Sequence, residues 1–170
     1  MSMRSPVSGL VLCLLITLAT PLLAQDEEGK PAPRFTAKTT AGEKFSNESL
    51  KGKVVLLQFW TTWCPYCRRE QKFVDKFDKQ FADKGLVVLA IDVGESKKTV
   101  TKYLQETPRK SRIVMTEDTN LAAMFAAKAY PIYVAIDREG NIAGVQRGAG
   151  GEDALRHLLR RAGIADEDEE

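Results

Sequence analysis

The chain has 170 residues, with 25 Lys and Arg against 23 Asp and Glu, one His, three Cys, and a hydrophobic fraction of 44%. That length and composition support one domain with its own apolar core. Charges of both signs are interspersed and nearly cancel, which leaves no basic footprint for nucleic acid.

Taken in chain order, the first feature is an apolar run from Val7 to Ala24 behind Arg4, followed by an acidic, polar stretch from Gln25. This pattern reads as a secretory signal peptide cleaved after Ala24; left uncleaved, it approaches the length of a membrane anchor. The expected division is therefore a signal peptide or N-terminal membrane anchor at 1–24, a globular domain at 25–165 and an acidic tail at 166–170. Cys13, inside the apolar run, reads as hydrophobic filler.

Arg34 to Lys38 and Glu43 to Phe45 flank the turn-prone Ala41-Gly42 and predict a hairpin. Val54 to Trp60 is a nearly continuous apolar run of strand length, suited to a central strand covered on both faces. From Pro65 to about Lys84 the period becomes helical. Cys67, Val74, Phe77 and Phe81 share one face; Arg68, Arg69, Lys72, Lys76 and Lys79 share the other. Leu86 to Asp92 predicts a second buried strand, Ser96 to Glu106 a helix, and Arg112 to Thr116 a short strand. A helix capped by Thr119 or Asn120 is expected to run to about Lys128. Ile132 to Asp137 and Ile142 to Arg147 form a hairpin across a turn at 138–141, and Glu152 to Ala162 closes the chain as a helix. Alternating strands and helices of this kind imply an α/β fold with a mixed sheet flanked by helices.

Removal of the leader leaves two cysteines, Cys64 and Cys67. A disulfide between them closes too small a loop to be a useful staple, so redox chemistry is the better reading. A zinc site would need two further ligands, and the one histidine, His157, sits among Arg156, Leu158 and Leu159 where a surface or packing role fits. No metal and no cofactor are expected. Cys64 falls at a helix N-cap, with Pro65 at the first helical position and Cys67 in the first turn. Helix-terminal N–H groups and partial positive charge stabilise a thiolate, so Cys64 is expected to be the exposed attacking thiol and Cys67 the buried resolving thiol. Glu70 lies on the apolar stripe three residues beyond Cys67. A carboxylate there is biased toward its protonated form and is a candidate proton partner for Cys67; a plain helix-start acid is the alternative. Trp60 reads as core, while Trp63 suits either packing or substrate contact.

The segment Phe59-Trp60-Thr61-Thr62-Trp63-Cys64-Pro65-Tyr66-Cys67-Arg68-Arg69-Glu70 resembles the active-site segment of the bacterial TlpA/ResA-like branch of the thioredoxin superfamily. The resemblance extends from Pro31-Ala32-Pro33-Arg34-Phe35 through 96–116, which matches the branch's inserted helix and strand, to Tyr130-Pro131-Ile132-Tyr133-Val134-Ala135-Ile136-Asp137-Arg138-Glu139-Gly140. It implies a thioredoxin-like fold and thiol–disulfide exchange with protein substrates in the periplasm. It also implies a cis Pro131 beside the redox pair, Tyr130 as a substrate-contacting residue, and a glutamate at the position of Glu70. Trp63, Pro65, Tyr66, Tyr130 and Pro131 make up the expected substrate-binding set.

Within that family the resemblance leans toward a reductase, in cytochrome c maturation or copper-site assembly, fed by a membrane redox partner. Gln58 stands where plain thioredoxin has a buried aspartate, and is expected to hydrogen-bond instead. Pro65-Tyr66 resembles the glutaredoxin dipeptide, but the leader and the extra element argue against a glutathione enzyme. Two rivals are a copper(I) metallochaperone using both thiolates, and a thiol peroxidase. Against the latter, the approach to Cys64 lacks the expected proline and threonine.

Overall fold

The computed structural model describes residues 27–164, so the expected leader at 1–24 and the tail at 166–170 lie outside the described residues. In chain order the elements are β1 (Thr36–Thr39), β2 (Lys44–Ser46), β3 (Val54–Trp60), α1 (Pro65–Gln80), β4 (Leu86–Asp92) and α2 (Lys97–Glu106). They continue with β5 (Arg112–Thr119), α3 (Leu121–Met124), β6 (Ile132–Ile136), β7 (Ile142–Arg147) and α4 (Gly151–Arg161). The strands form one seven-stranded sheet in the order β2-β1-β5-β4-β3-β6-β7. β3, β4 and β5 are mutually parallel, and β1, β6 and β7 pair antiparallel with their neighbours. This is the thioredoxin-like α/β arrangement, with the N-terminal hairpin and the inserted α2–β5 unit in place.

β3 is buried at every position, as an apolar strand with helices on both faces must be. Its alternate residues Val55, Leu57 and Phe59 join Leu89, Ile91, Val134, Leu121 and Phe125 on one face. Val54 and Leu56 join Val74, Phe77, Phe81, Leu155 and Leu158 under α1 and α4 on the other. Each such side chain withdrawn fully from water stabilises the fold by roughly 2 kcal/mol. Further along that second face, Trp60, Ala90, Ile113, Met115 and Val100 of α2 enclose Cys64 and Cys67. The redox pair thus sits at the carboxyl end of the two central parallel strands.

Three element bounds differ from those the pattern predicts. α1 stops at Gln80, because the chain must reverse into β4 within five residues; Gly85, at φ +85°, completes that turn. Phe81 is still buried, stacked on Phe77 with centroids 5.8 Å apart. β5 runs on to Thr119 because β1 pairs with it along that stretch, Ala37 opposite Thr119, and the polar Glu117-Asp118 masks the strand in sequence. α3 is a single turn rather than a helix to Lys128. Ala127 N–H returns to the Ala122 carbonyl and Ala126 takes φ +46°, which swings the chain back toward Tyr130-Pro131.

Candidate active site

Cys64 is the N-cap of α1, and its sulfur accepts the Cys67 N–H at 3.1 Å. Pro65 occupies the first turn, which contains no acidic side chain to oppose a thiolate. The two cysteines are joined as a disulfide with Cα atoms 5.3 Å apart. The expected contrast between an exposed Cys64 and a buried Cys67 is nearly absent in this oxidised pair, at 2% and 0% exposure. Cys64 is drawn into the cluster that contains Trp60 and has Tyr130 packed against it.

What faces solvent is the rim. Trp63 is 63% exposed and Tyr66 52% exposed, with Pro65 also exposed between them. Trp63 meets Tyr130 edge to face, centroids 5.9 Å apart, and the Arg69 guanidinium lies 4.7 Å from the centre of the Tyr66 ring. Tyr130 donates its hydroxyl to the Ala127 carbonyl, and burial raises its phenol pKa above the usual range. The Tyr130–Pro131 peptide bond is cis and Pro131 is buried. Sequence positions 63–66 and 130–131 are therefore brought together around one sulfur pair. His157 is exposed on α4.

Beneath the pair runs a buried polar chain. Gln58 is fully buried and finds the partners its position demands, donating to the Tyr133 hydroxyl at 3.4 Å and accepting from Arg109 at 3.2 Å. Tyr133 in turn donates to Glu70 at 2.9 Å, while the other Glu70 oxygen accepts the Gly151 N–H at the start of α4, at 2.5 Å. Burial, then the Glu70 charge, pushes the Tyr133 phenol strongly upward, which keeps it a donor. Glu70 is buried as its place on the stripe predicts, but the partners of its two oxygens are Tyr133 and Gly151. Arg109 lays its guanidinium 3.4 Å from the centre of the Trp60 ring, and burial lowers its pKa to about 10, still protonated at neutral pH.

Two carboxylates that sequence reasoning passed over flank the redox loop. Glu95 grips Thr62 with both oxygens, accepting its N–H at 2.5 Å and its hydroxyl at 2.7 Å, while Arg68 bonds the Thr62 carbonyl at 3.0 Å. Asp92 ends β4, is wholly buried, and has a pKa raised to about 7, by burial first and the neighbouring Glu95 second. One signal was present: an acid closing an apolar parallel strand sits where such sheets build their sites. Among the described residues no group of three or more His, Cys, Asp or Glu side chains is placed to hold a metal ion.

The family model for redoxins matches residues 27–159, most of the chain and all of this site. The protein belongs to the redoxin family. It is 34% identical over 124 residues to the thioredoxin-like protein YneN of Bacillus subtilis, covering 72% of each chain. It is 29% identical over 160 residues to the thiol-disulfide oxidoreductase ResA of the same organism, covering 92% of this chain and 89% of that one. A thioredoxin-family thiol:disulfide interchange protein from Chlorobium tepidum superposes with a TM-score of 0.67 at 30% identity, over 78% of this chain and 94% of that structure. This redoxin is accordingly a ResA-like thiol–disulfide oxidoreductase. Among its described residues no helix is long and apolar enough to cross a membrane.

Proposed function

We propose that this redoxin is exported by its N-terminal segment and reduces disulfides in other exported proteins, with Cys64 as the attacking sulfur. The observation that carries this reading is the position of Cys64, an N-cap whose sulfur accepts the Cys67 N–H at a helix start that holds no acid, beside an exposed aromatic rim. The Cys64 thiolate attacks a substrate disulfide, forming a mixed disulfide and releasing one substrate thiolate. Cys67 then attacks Cys64 and expels the second substrate thiolate. Two electrons pass to the substrate, and the Cys64–Cys67 disulfide is reduced again by a membrane redox partner.

Trp63, Pro65, Tyr66, Tyr130 and Pro131 receive the substrate chain in this scheme, Tyr130 and Pro131 lying alongside it and the two exposed aromatics supplying contact area. Glu70 serves as a positioning residue, tying Tyr133 and the start of α4 to the helix that carries both cysteines. Substrates in cytochrome c maturation or copper-site assembly fit the family resemblance. The test is insulin reduction by dithiothreitol, comparing the parent with Cys64→Ser. A large acceleration by the parent alone supports the scheme, and equal rates defeat it. A measured reduction potential below that of common protein disulfides then supports the reductase direction, and a higher one reverses it.

A further inference from the structure

Asp92 is a buried acid at the carboxyl end of β4, and its surroundings can be read from the strand register. Trp60 lies beside it on β3 and Met115 on β5, while Ala90, two residues earlier on β4, shares its face. All three belong to the cluster that encloses Cys64 and Cys67. Asp92 therefore projects from the sheet into the same compartment as the sulfurs. One oxygen accepts the Glu95 N–H at 3.3 Å; the other, Oδ2, is buried without a hydrogen-bond partner. A carboxyl group in that condition is costly as an anion and comfortable with a proton.

We propose that Asp92 is the internal acid–base group of the redox cycle, taking the proton that Cys67 gives up as it attacks the mixed disulfide. The inference rests on the exchange scheme above. In the resolving step the Cys67 S–H bond breaks and the proton passes to the Asp92 carboxylate. The Cys67 sulfur bonds to Cys64, and the substrate sulfur leaves as a thiolate with the electron pair of the broken S–S bond. On re-reduction an incoming thiolate attacks the disulfide, Cys67 departs as a thiolate, and Asp92 returns the proton.

Other groups around Asp92 have fixed tasks. Glu95, in the loop that follows, holds Thr62 with both oxygens and also meets the Asp92 carboxyl group side chain to side chain, which favours the proton on Asp92. Arg109, from the α2–β5 connection, lowers the Asp92 pKa while bonded to Gln58 and stacked on Trp60. Tyr103 of α2 packs on Trp60, and Tyr130, ahead of β6, bonds Ala127. The Thr116 hydroxyl donates to the backbone carbonyl of Asp92, away from its carboxyl group. Glu70, the other buried acid on α1, has both oxygens engaged by Tyr133 and Gly151. That leaves Asp92 Oδ2 as the buried carboxyl oxygen without a hydrogen-bond partner on the face of the sheet that carries the pair.

The test uses the full chain and follows the rate of insulin reduction from pH 5 to 9 for the parent, Asp92→Asn, Glu70→Gln and Cys64→Ser. We expect the parent rate to inflect near pH 7. Asp92→Asn should lose that inflection and fall roughly tenfold to a hundredfold at pH 7, recovering toward pH 9 where the thiol ionises unaided. Glu70→Gln should keep the inflection. A profile of Asp92→Asn that superimposes on the parent overturns the proposal, as does an inflection lost only in Glu70→Gln. Equal rates for the parent and Cys64→Ser sink the exchange scheme instead, so the two failures are separable. Should Asp92→Asn fail to fold, the infrared difference between oxidised and reduced parent at pH 7 decides. A change in the protonated-carboxyl band supports Asp92, and a silent carboxyl region rejects it.

Discussion

Glu70 bonds the Tyr133 hydroxyl and the Gly151 N–H with its two oxygens, so both of its acceptors are matched by donors from distant elements. Glu70→Gln replaces one acceptor with an NH2 facing a donor. We expect a loss of about 1–3 kcal/mol in urea unfolding with an unchanged m-value. Asp92 acts in the opposite sense. Its folded-state pKa, about 7, lies above the unfolded value, so the native protein holds a proton that the unfolded chain has shed. The stability contributed is complete below the unfolded pKa and is lost as pH rises toward 7. The oxidised parent should therefore lose stability between pH 4 and 7 relative to Asp92→Asn, and parallel curves would contradict it. Cys64, Cys67 and the aromatic rim were legible in sequence because their relations are local, set by three-residue helical spacing. Asp92, Glu95 and Arg109 reach the site only through strand register and loop return, which no window around the cysteines contains.

Among the elements, α1 and α4 meet through the Glu70–Gly151 contact, and Gly151 holds φ +78° there. A Cβ at Gly151 would meet nothing within 4 Å, so Gly151→Ala carries backbone strain alone. A thermal-melt loss equivalent to about 1–2 kcal/mol is expected. Arg109→Met keeps an apolar group over Trp60 but removes the donor to Gln58 Oε1, with an expected loss of about 1–3 kcal/mol. Denaturant midpoints check both. β3, β4 and the amphipathic stripe of α1 were readable because burial on one or two faces fixes their period. The single turn of α3 was not: Leu121, Ala122 and Phe125 follow helical spacing, yet the path to Pro131 demands a reversal at Ala126. The last residues of β5 were hidden because their order comes from pairing with β1, while Glu117 and Asp118 are polar.

At the scale of the molecule, one continuous sheet with helices on both faces predicts a single cooperative unfolding transition for the domain. The Cys64–Cys67 bridge closes a loop of only four residues, so chain entropy assigns it about 2 kcal/mol at most. Reduced and oxidised forms should differ in unfolding free energy by about that amount, compared by denaturant titration with and without dithiothreitol. The order of strands and helices along the chain made the α/β class legible, and the family resemblance narrowed it to the thioredoxin-like fold. The direction of electron flow is a property of the pair's potential and is not written in that order.

The most direct trial of Cys64 as the attacking sulfur is to trap the mixed disulfide with a disulfide-bearing protein substrate, using Cys67→Ser and Cys64→Ser in parallel. Mass spectrometry should find the adduct accumulating on Cys64 in Cys67→Ser and absent from Cys64→Ser. An adduct on Cys67 in Cys64→Ser, with none on Cys64 in the partner variant, would reverse the two roles.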